Sequence, residues 1–189
     1  MRPTDILREE HEAILKMLNI IDVVSERLES GERVDTEHLE QILEFVRVFS
    51  DRCHHGKEEG VLFPAMEERG VPRSGPIMVM LTEHELGRGY VRGMAEALDL
   101  IKAGEGGASR RFVENAQNYV GLLRQHIEKE NEILFKIAEM HIPKDKDDEL
   151  LENFEKIERE RVGPRIHEES ERTLETLEEI YLKRDPINS

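Results

Sequence analysis

Tryptophan is absent from this 189-residue chain, cysteine occurs once, and aromatic side chains make up only 5%. Sandwiches and barrels draw their cores from β-branched and aromatic residues, so this poverty argues against an all-β fold. A single thiol, Cys53, excludes an internal disulfide framework and fits a reducing compartment. No apolar run approaches the roughly 20 residues that a membrane-spanning helix needs. The opening residues, MRPTDILREEHEAIL, hold no uninterrupted apolar stretch of the signal-peptide kind, and the expectation is a cytoplasmic chain. Positive charge is also in short supply, with 27 Lys and Arg against 42 Asp and Glu, for a formal net charge of -15. That balance argues against nucleic acid, which needs a basic footprint, and against anionic lipid. Neither is expected as a partner.

What the chain has in quantity is charge on helical periods. Apolar residues Leu7, Ile14, Leu18, Ile21 and Leu28 follow the possible caps Thr4 and Asp5, and Gly31 reads as the stop. A second helix is predicted from Thr36 towards Gly70, with a kink near Gly60 and Pro64. A third carries Ile77, Leu81, Val91 and Leu98 and ends at the glycine-rich 104–107. The fourth, capped by Ser109, carries Phe112, Ala116, Tyr119, Leu123, Ile133 and Ile137, and Pro143 closes it. Long helices with short connections read as an all-α, up-down-up-down four-helix bundle. Residues 1–142 form that bundle in this reading. Residues 143–189 are a charged helical extension packed on the same domain and interrupted at Gly163 and Pro164.

The sequence also repeats itself. Residues 54–67, HHGKEEGVLFPAME, align with 126–139, HIEKENEILFKIAE, and EHE at 10–12 matches EHE at 83–85. His11 and His54 are 43 residues apart, and His84 and His126 are 42 apart. Each half therefore reads as a helical hairpin, with one His on its first helix and His-x-x-x-Glu on its second. Residues four apart share a helix face, so His54 with Glu58, and His126 with Glu130, are predicted to face one metal pair. A carboxylate on a buried stripe is costly unless it is paired or coordinated.

Four imidazoles and two bridging carboxylates offer about eight coordination positions, whereas two six-coordinate ions need about twelve. The shortfall leaves room for solvent and for an exogenous ligand. Nitrogen and oxygen donors without thiolate suit iron or manganese better than a closed structural zinc site. Of the remaining candidates, His55 should point about 100° from His54 and be solvated or support a ligand. His38 and His141 read as surface residues, Cys53 as a small buried residue, and the Leu-Phe pairs 62–63 and 134–135 as a dry wall. Glu59, Glu12 and Glu85 read as solvated, with one of them available to orient a ligand histidine. Arg88 reads either as an anion-stabilising group or as half of a surface ion pair.

EEHEAI, HHGKEEGVLFPAME, EHELGR and HIEKENEILF together resemble the hemerythrin-like (HHE cation-binding) family over roughly residues 5–142. The resemblance implies a bundle holding a carboxylate-bridged non-haem diiron centre, with manganese or zinc less expected. The implied ligands are His11, His54, Glu58, His84, His126 and Glu130. Oxygen-carrying members have a histidine where this chain has Arg88, and His followed five residues on by Asp where it has His126 and Glu130. The pattern is closer to bacterial iron-centre repair proteins and to the iron-sensing domain of a ubiquitin ligase. His167 is the candidate for a fifth imidazole, because a tail helix folded over the open end of the bundle would bring it to a ligand-poor site. The leading functional expectation is binding of O2, NO or peroxide for sensing, storage or delivery. A stress-response enzyme (peroxide or NO reduction, or iron-centre repair) and iron storage stand beside it, and no residue is assigned catalytic proton transfer.

Overall fold

The computed structural model describes residues 1–183, and of residues 164–167 the backbone only. Among the described residues there is no strand. Helix α1 (Pro3–Glu29) starts with Pro3, whose missing N–H costs nothing in a first turn. The Asp5 carboxylate accepts from the Arg2 backbone N–H at 2.7 Å, closing that turn. The second helix is continuous but unevenly wound. Helix α2 (Thr36–Phe45) passes through π-wound stretches at Val46–His55 and Glu58–Leu62 before α3 (Phe63–Glu68). Pro64 has no N–H to return to Gly60, so the α-ladder is interrupted there in any case. Helix α4 (Met78–Lys102) and helix α5 (Ala108–Lys129) follow. Helix α5 continues through a π-wound Glu130–Leu134 into α6 (Phe135–His141). Its cap is Gly107 at φ 80°, not Ser109, because a left-handed residue ahead of the first turn suits glycine.

These rods form the expected four-helix bundle with a helical C-terminal segment added to it. Helix α7 (Asp147–Ile157), a π-wound Glu158–Val162 and helix α8 (Pro164–Glu178) make up that segment. The interior is divided into two apolar clusters. The larger includes Ile14, Leu18, Phe49, Val91, Phe112 and Leu123, and the smaller includes Leu7, Leu62, Phe63, Met80, Leu134 and Phe135. On every helix of the bundle a polar level separates the two: His11 on α1, 54–58 on the second, His84 on α4, and 126–130 on the last.

The C-terminal segment serves both clusters. Leu150 and Phe154 of α7 join the smaller, while Leu174, Leu177 and Tyr181 join the larger. The π-wound turn between them crosses the polar level, where Val162 packs with Val48 and Cys53. Close approach there depends on two glycines. A Cβ at Gly56 would stand 3.3 Å from Arg161 Nη1, and one at Gly60 would stand 3.4 Å from Ile157 Cδ1. At the ends, Arg2 forks onto Asp147 at 3.2 and 3.3 Å, and the Tyr181 hydroxyl is hydrogen-bonded to His38 Nδ1 at 2.7 Å. His38 is therefore a clasp for the extension, whereas His141 is exposed as expected.

Leu177 is fully buried in the larger cluster. We expect Leu177→Ala to lower unfolding free energy by about 2–5 kcal/mol, measured by urea denaturation. A loss below about 0.5 kcal/mol, the size of an ordinary surface substitution, would mean that the extension is not part of the cooperative core.

Candidate metal centre

Each functional side chain comes from the polar level between the clusters. His11, His54, Glu58, His84, His126 and Glu130 all converge there and are buried. Glu58 and Glu130 are 0% exposed, so neither has water to compensate its charge. Glu58 turns Oε1 towards His54 Nε2 at 3.6 Å and Oε2 towards His84 Nε2 at 3.4 Å. Glu130 does the reverse, with Oε1 at 3.2 Å from His126 Nε2 and Oε2 at 3.1 Å from His11 Nε2. Each carboxylate thus presents one oxygen to each half of the site. The side chain of His167 lies outside the described residues.

His55 joins them, against the expectation of a solvated residue 100° away. It is 5% exposed, and its ring stacks on His84 with centroids 3.8 Å apart. The cause is the π-wound Val46–His55. A wider turn spaces hydrogen bonds five residues apart, so the helix advances less per residue and both His54 and His55 face inward. Winding at Glu130–Leu134 has a matching effect on the last helix. It turns Leu134 and Phe135 into the core and leaves Ile133, expected on the inward stripe, 53% exposed.

Behind the inner ring is an outer one, and it follows the sequence repeat. Nδ1 of His54 donates to Glu10 Oε2 at 2.9 Å, and Nδ1 of His126 donates to Glu83 Oε2 at 2.8 Å. Glu10 also binds the ammonium of Lys57, and Glu83 binds that of Lys129. His84 donates to Glu59 at 2.7 Å, and His11 to the amide oxygen of Asn131 at 2.9 Å. Phe63 stacks beside His84 and Phe135 beside His11, the dry walls read from the sequence. Every pair so far matches one half of the repeat to the other. Around the imidazoles the match breaks at Glu59 against Asn131 and at His55 against Ile127. His55 donates to Asp51 at 3.2 Å, and Arg88 spans Asp51 and Glu59 at 2.8 Å each. An acceptor opposite Nδ1 fixes the proton there and leaves the Nε2 lone pair inward.

Sequence reasoning missed Glu10, Glu83, Asp51 and the two lysines. The repeat held the signal for most of them, since Glu-His and Lys-Glu occur in both halves.

The electrostatics call for cations at the centre. Burial opposes charge on Glu130, yet the charge of the adjacent His126 and the hydrogen bond from His11 hold its carboxyl well below the usual range. Burial would lower His126, but Glu130, Glu83 and Glu58 push it up to about 10. Burial likewise opposes charge on Glu10, which His54 and Lys57 hold at about 2. Burial and the neighbouring His84 push His55 well below its ordinary value, favouring the neutral ring that a metal takes. Nε2 of His54 and of His55, both oxygens of Glu58, and Oε1 of Glu130 are buried with no hydrogen-bond partner. Orphaned polar atoms converging on one point, with lone pairs and carboxylates and no thiolate, fit a metal site of nitrogen and oxygen donors.

Two donor groups emerge: His11, His54, Glu58 and Glu130, and His55, His84, His126 and Glu58. A third set, Glu10, Cys53 and Glu158, already has its cation, because Lys57 binds both carboxylates. Cys53 itself is buried, and its thiol is pushed up to about 12 by that burial and by Glu10, so it is inert at neutral pH.

The Lys57 side chain is 0% exposed and that of Lys129 is 36% exposed, so the matched pair should differ in energetic weight. Lys57→Met strips the buried Glu10 of its ammonium partner, and should cost about 3–5 kcal/mol. Lys129→Met should cost no more than about 1 kcal/mol. Equal losses in urea titrations of the two variants would contradict the buried clasp.

A family model described as the hemerythrin HHE cation binding domain matches residues 2–138 of the chain. Comparison with curated proteins gave no match, and neither did comparison with solved structures.

Proposed function

The chain belongs to the hemerythrin HHE cation-binding family, and from that premise we propose that it holds two iron ions and binds O2, NO or peroxide at them. The observation that carries this reading is the convergence of five imidazoles and two carboxylates, with Nε2 of His54 and of His55, both oxygens of Glu58 and Oε1 of Glu130 left without a hydrogen-bond partner. His11, His54, Glu58 and Glu130 would hold one ion, and His55, His84, His126 and the far oxygens of the same carboxylates the other. By count these donors would fill about nine of the twelve positions of two six-coordinate ions, which would leave room for solvent and an exogenous ligand. When bound, two irons would supply the redox electrons that such a ligand accepts.

The chain's own residues do the rest. Glu10, Asp51, Glu59, Glu83 and Asn131 hold each imidazole by its outer nitrogen, and Phe63 and Phe135 limit water. Among the described residues no buried acid–base pair stands free for proton transfer, and we favour binding, for sensing, storage or delivery, over turnover. A site with few spare positions also suits a ligand better than it suits bulk iron storage. Among the described residues no helix is long and apolar enough to cross a membrane, and we place the protein in the reducing cytoplasm that its single buried thiol suits.

Metal analysis of protein isolated without added metal should give two irons per chain. Zinc alone, with an apo form that rejects iron, would defeat the proposal. Glu58→Ala with Glu130→Ala should empty the site and leave the helical circular dichroism in place. Anaerobic reduction followed by O2 or NO should give a stable adduct, whereas multiple turnovers of peroxide or NO would favour an enzyme.

The broken match at His55 makes a separate prediction. His55→Ile copies the other half, where Ile127 stands. Mössbauer spectra should show two distinct iron environments in the natural protein, converging towards one in the variant. Two equivalent irons in the natural protein would remove His55 from the ligand set.

A further inference from the structure

Although the chain carries a net charge of -15, one cleft on it is lined by four guanidinium groups. Arg47 and Arg52 come from the π-wound stretch of the second helix, and Arg88 and Arg92 stand one turn apart on α4. Asp51 is the one acid among the lining residues, and it is already shared between Arg88 and His55. Among the described residues Arg47, Arg52 and Arg92 have no acidic partner within ion-pair distance. The cleft has a volume of about 260 Å³, and His55, Val91 and Tyr119 form its inner wall. A second opening shares Asp51, Arg52 and Arg88 with it and adds Glu59, already held by Arg88, and Arg161 from the C-terminal segment.

We propose that this cleft is a binding site for a small, multiply charged oxyanion, such as a dicarboxylate or a phosphate-bearing molecule. Several unpaired guanidiniums gathered at one concavity repel one another, and an anion relieves that repulsion. Planar guanidinium forks match the paired oxygens of carboxylate and phosphate. The volume is several times the roughly 30 Å³ that a water molecule occupies in the liquid, so the cleft suits a molecule larger than a diatomic gas. Apolar Val46 and Val91 beside the ring of Tyr119 give a short carbon skeleton a surface to lie on.

Position gives the site a consequence. Arg88 is held by Asp51 and Glu59, and these two carboxylates hold the outer nitrogens of His55 and His84. An anion that engages Arg88 competes with both. It therefore alters the hydrogen bonds behind two imidazoles of one donor group, without touching that group. This coupling rests on the two-iron reading; the anion site itself does not.

The test uses succinate and inorganic phosphate as probes, by calorimetry on metal-free and iron-loaded protein. Saturable binding of at least one probe in both forms is expected, weakened at least tenfold in Arg47→Gln with Arg92→Gln. An Arg110→Gln control on the far part of α5 should bind as the natural protein does. Unchanged helical circular dichroism and iron content would show that the double variant is folded. Failure of both probes to bind, or equal binding by the double variant, would overturn the site. In the iron-loaded protein the bound probe should shift the ligand-to-metal absorption, and an unchanged spectrum at saturation would overturn the coupling. Because calorimetry is also run without metal, loss of the two-iron reading would leave the anion result standing or falling by itself.

Discussion

Two carboxylates with no access to water govern this structure. Glu58 and Glu130 sit at the middle of the bundle, each between two imidazoles, and a charge in that position is tolerable only if positive charge is brought to it. The rest of the polar level follows from that requirement. Imidazoles surround the carboxylates, outer carboxylates fix the imidazoles, and Lys57, Lys129 and Arg88 balance the outer carboxylates. Charge alternates outward in rings until it meets solvent. An apolar core is cheaper to build, so the chain gives up stability at this level and recovers it in the clusters on either side.

The halves of the chain share this arrangement almost residue for residue. Glu10 matches Glu83, His11 matches His84, His54 matches His126, Lys57 matches Lys129, and Phe63 matches Phe135. Two exceptions lie together. His55 against Ile127 and Glu59 against Asn131 both favour one donor group, which gains an extra imidazole and a charged acceptor behind another. Arg88 and the arginine-lined cleft adjoin that same group. The chemical differences at the imidazoles therefore gather on one side of a duplicated site.

The bundle was legible in the sequence because helical periodicity and glycine or proline punctuation are local signals. The six inward donors were legible because the repeat placed each of them twice. His55 was not, since its direction depends on a π-wound turn, and a fixed advance of 100° per residue sends it outward. Ile133 was misplaced for the same reason on the last helix. Glu10 and Glu83 escaped notice although both stood in the aligned EHE segments, because the position before a ligand reads as solvated until its neighbouring helix is in place. Arg47, Arg52 and Arg92 are scattered in sequence, and only the approach of the second helix to α4 gathers them.

The uneven winding has a mechanical meaning. A π-wound stretch is held by poorer hydrogen bonds than an α-helix and is rarely favoured by its own residues. Three of the π-wound stretches begin or end on inward donors, at His55, Glu58 and Glu130. Helix pitch at these places is set by what the polar level demands rather than by local preference. The two helices that carry His-x-x-x-Glu thus behave as wound springs whose torsion is fixed at the centre of the molecule. Any change in what the centre holds is felt first as a change of twist, carried along the same rods to their ends.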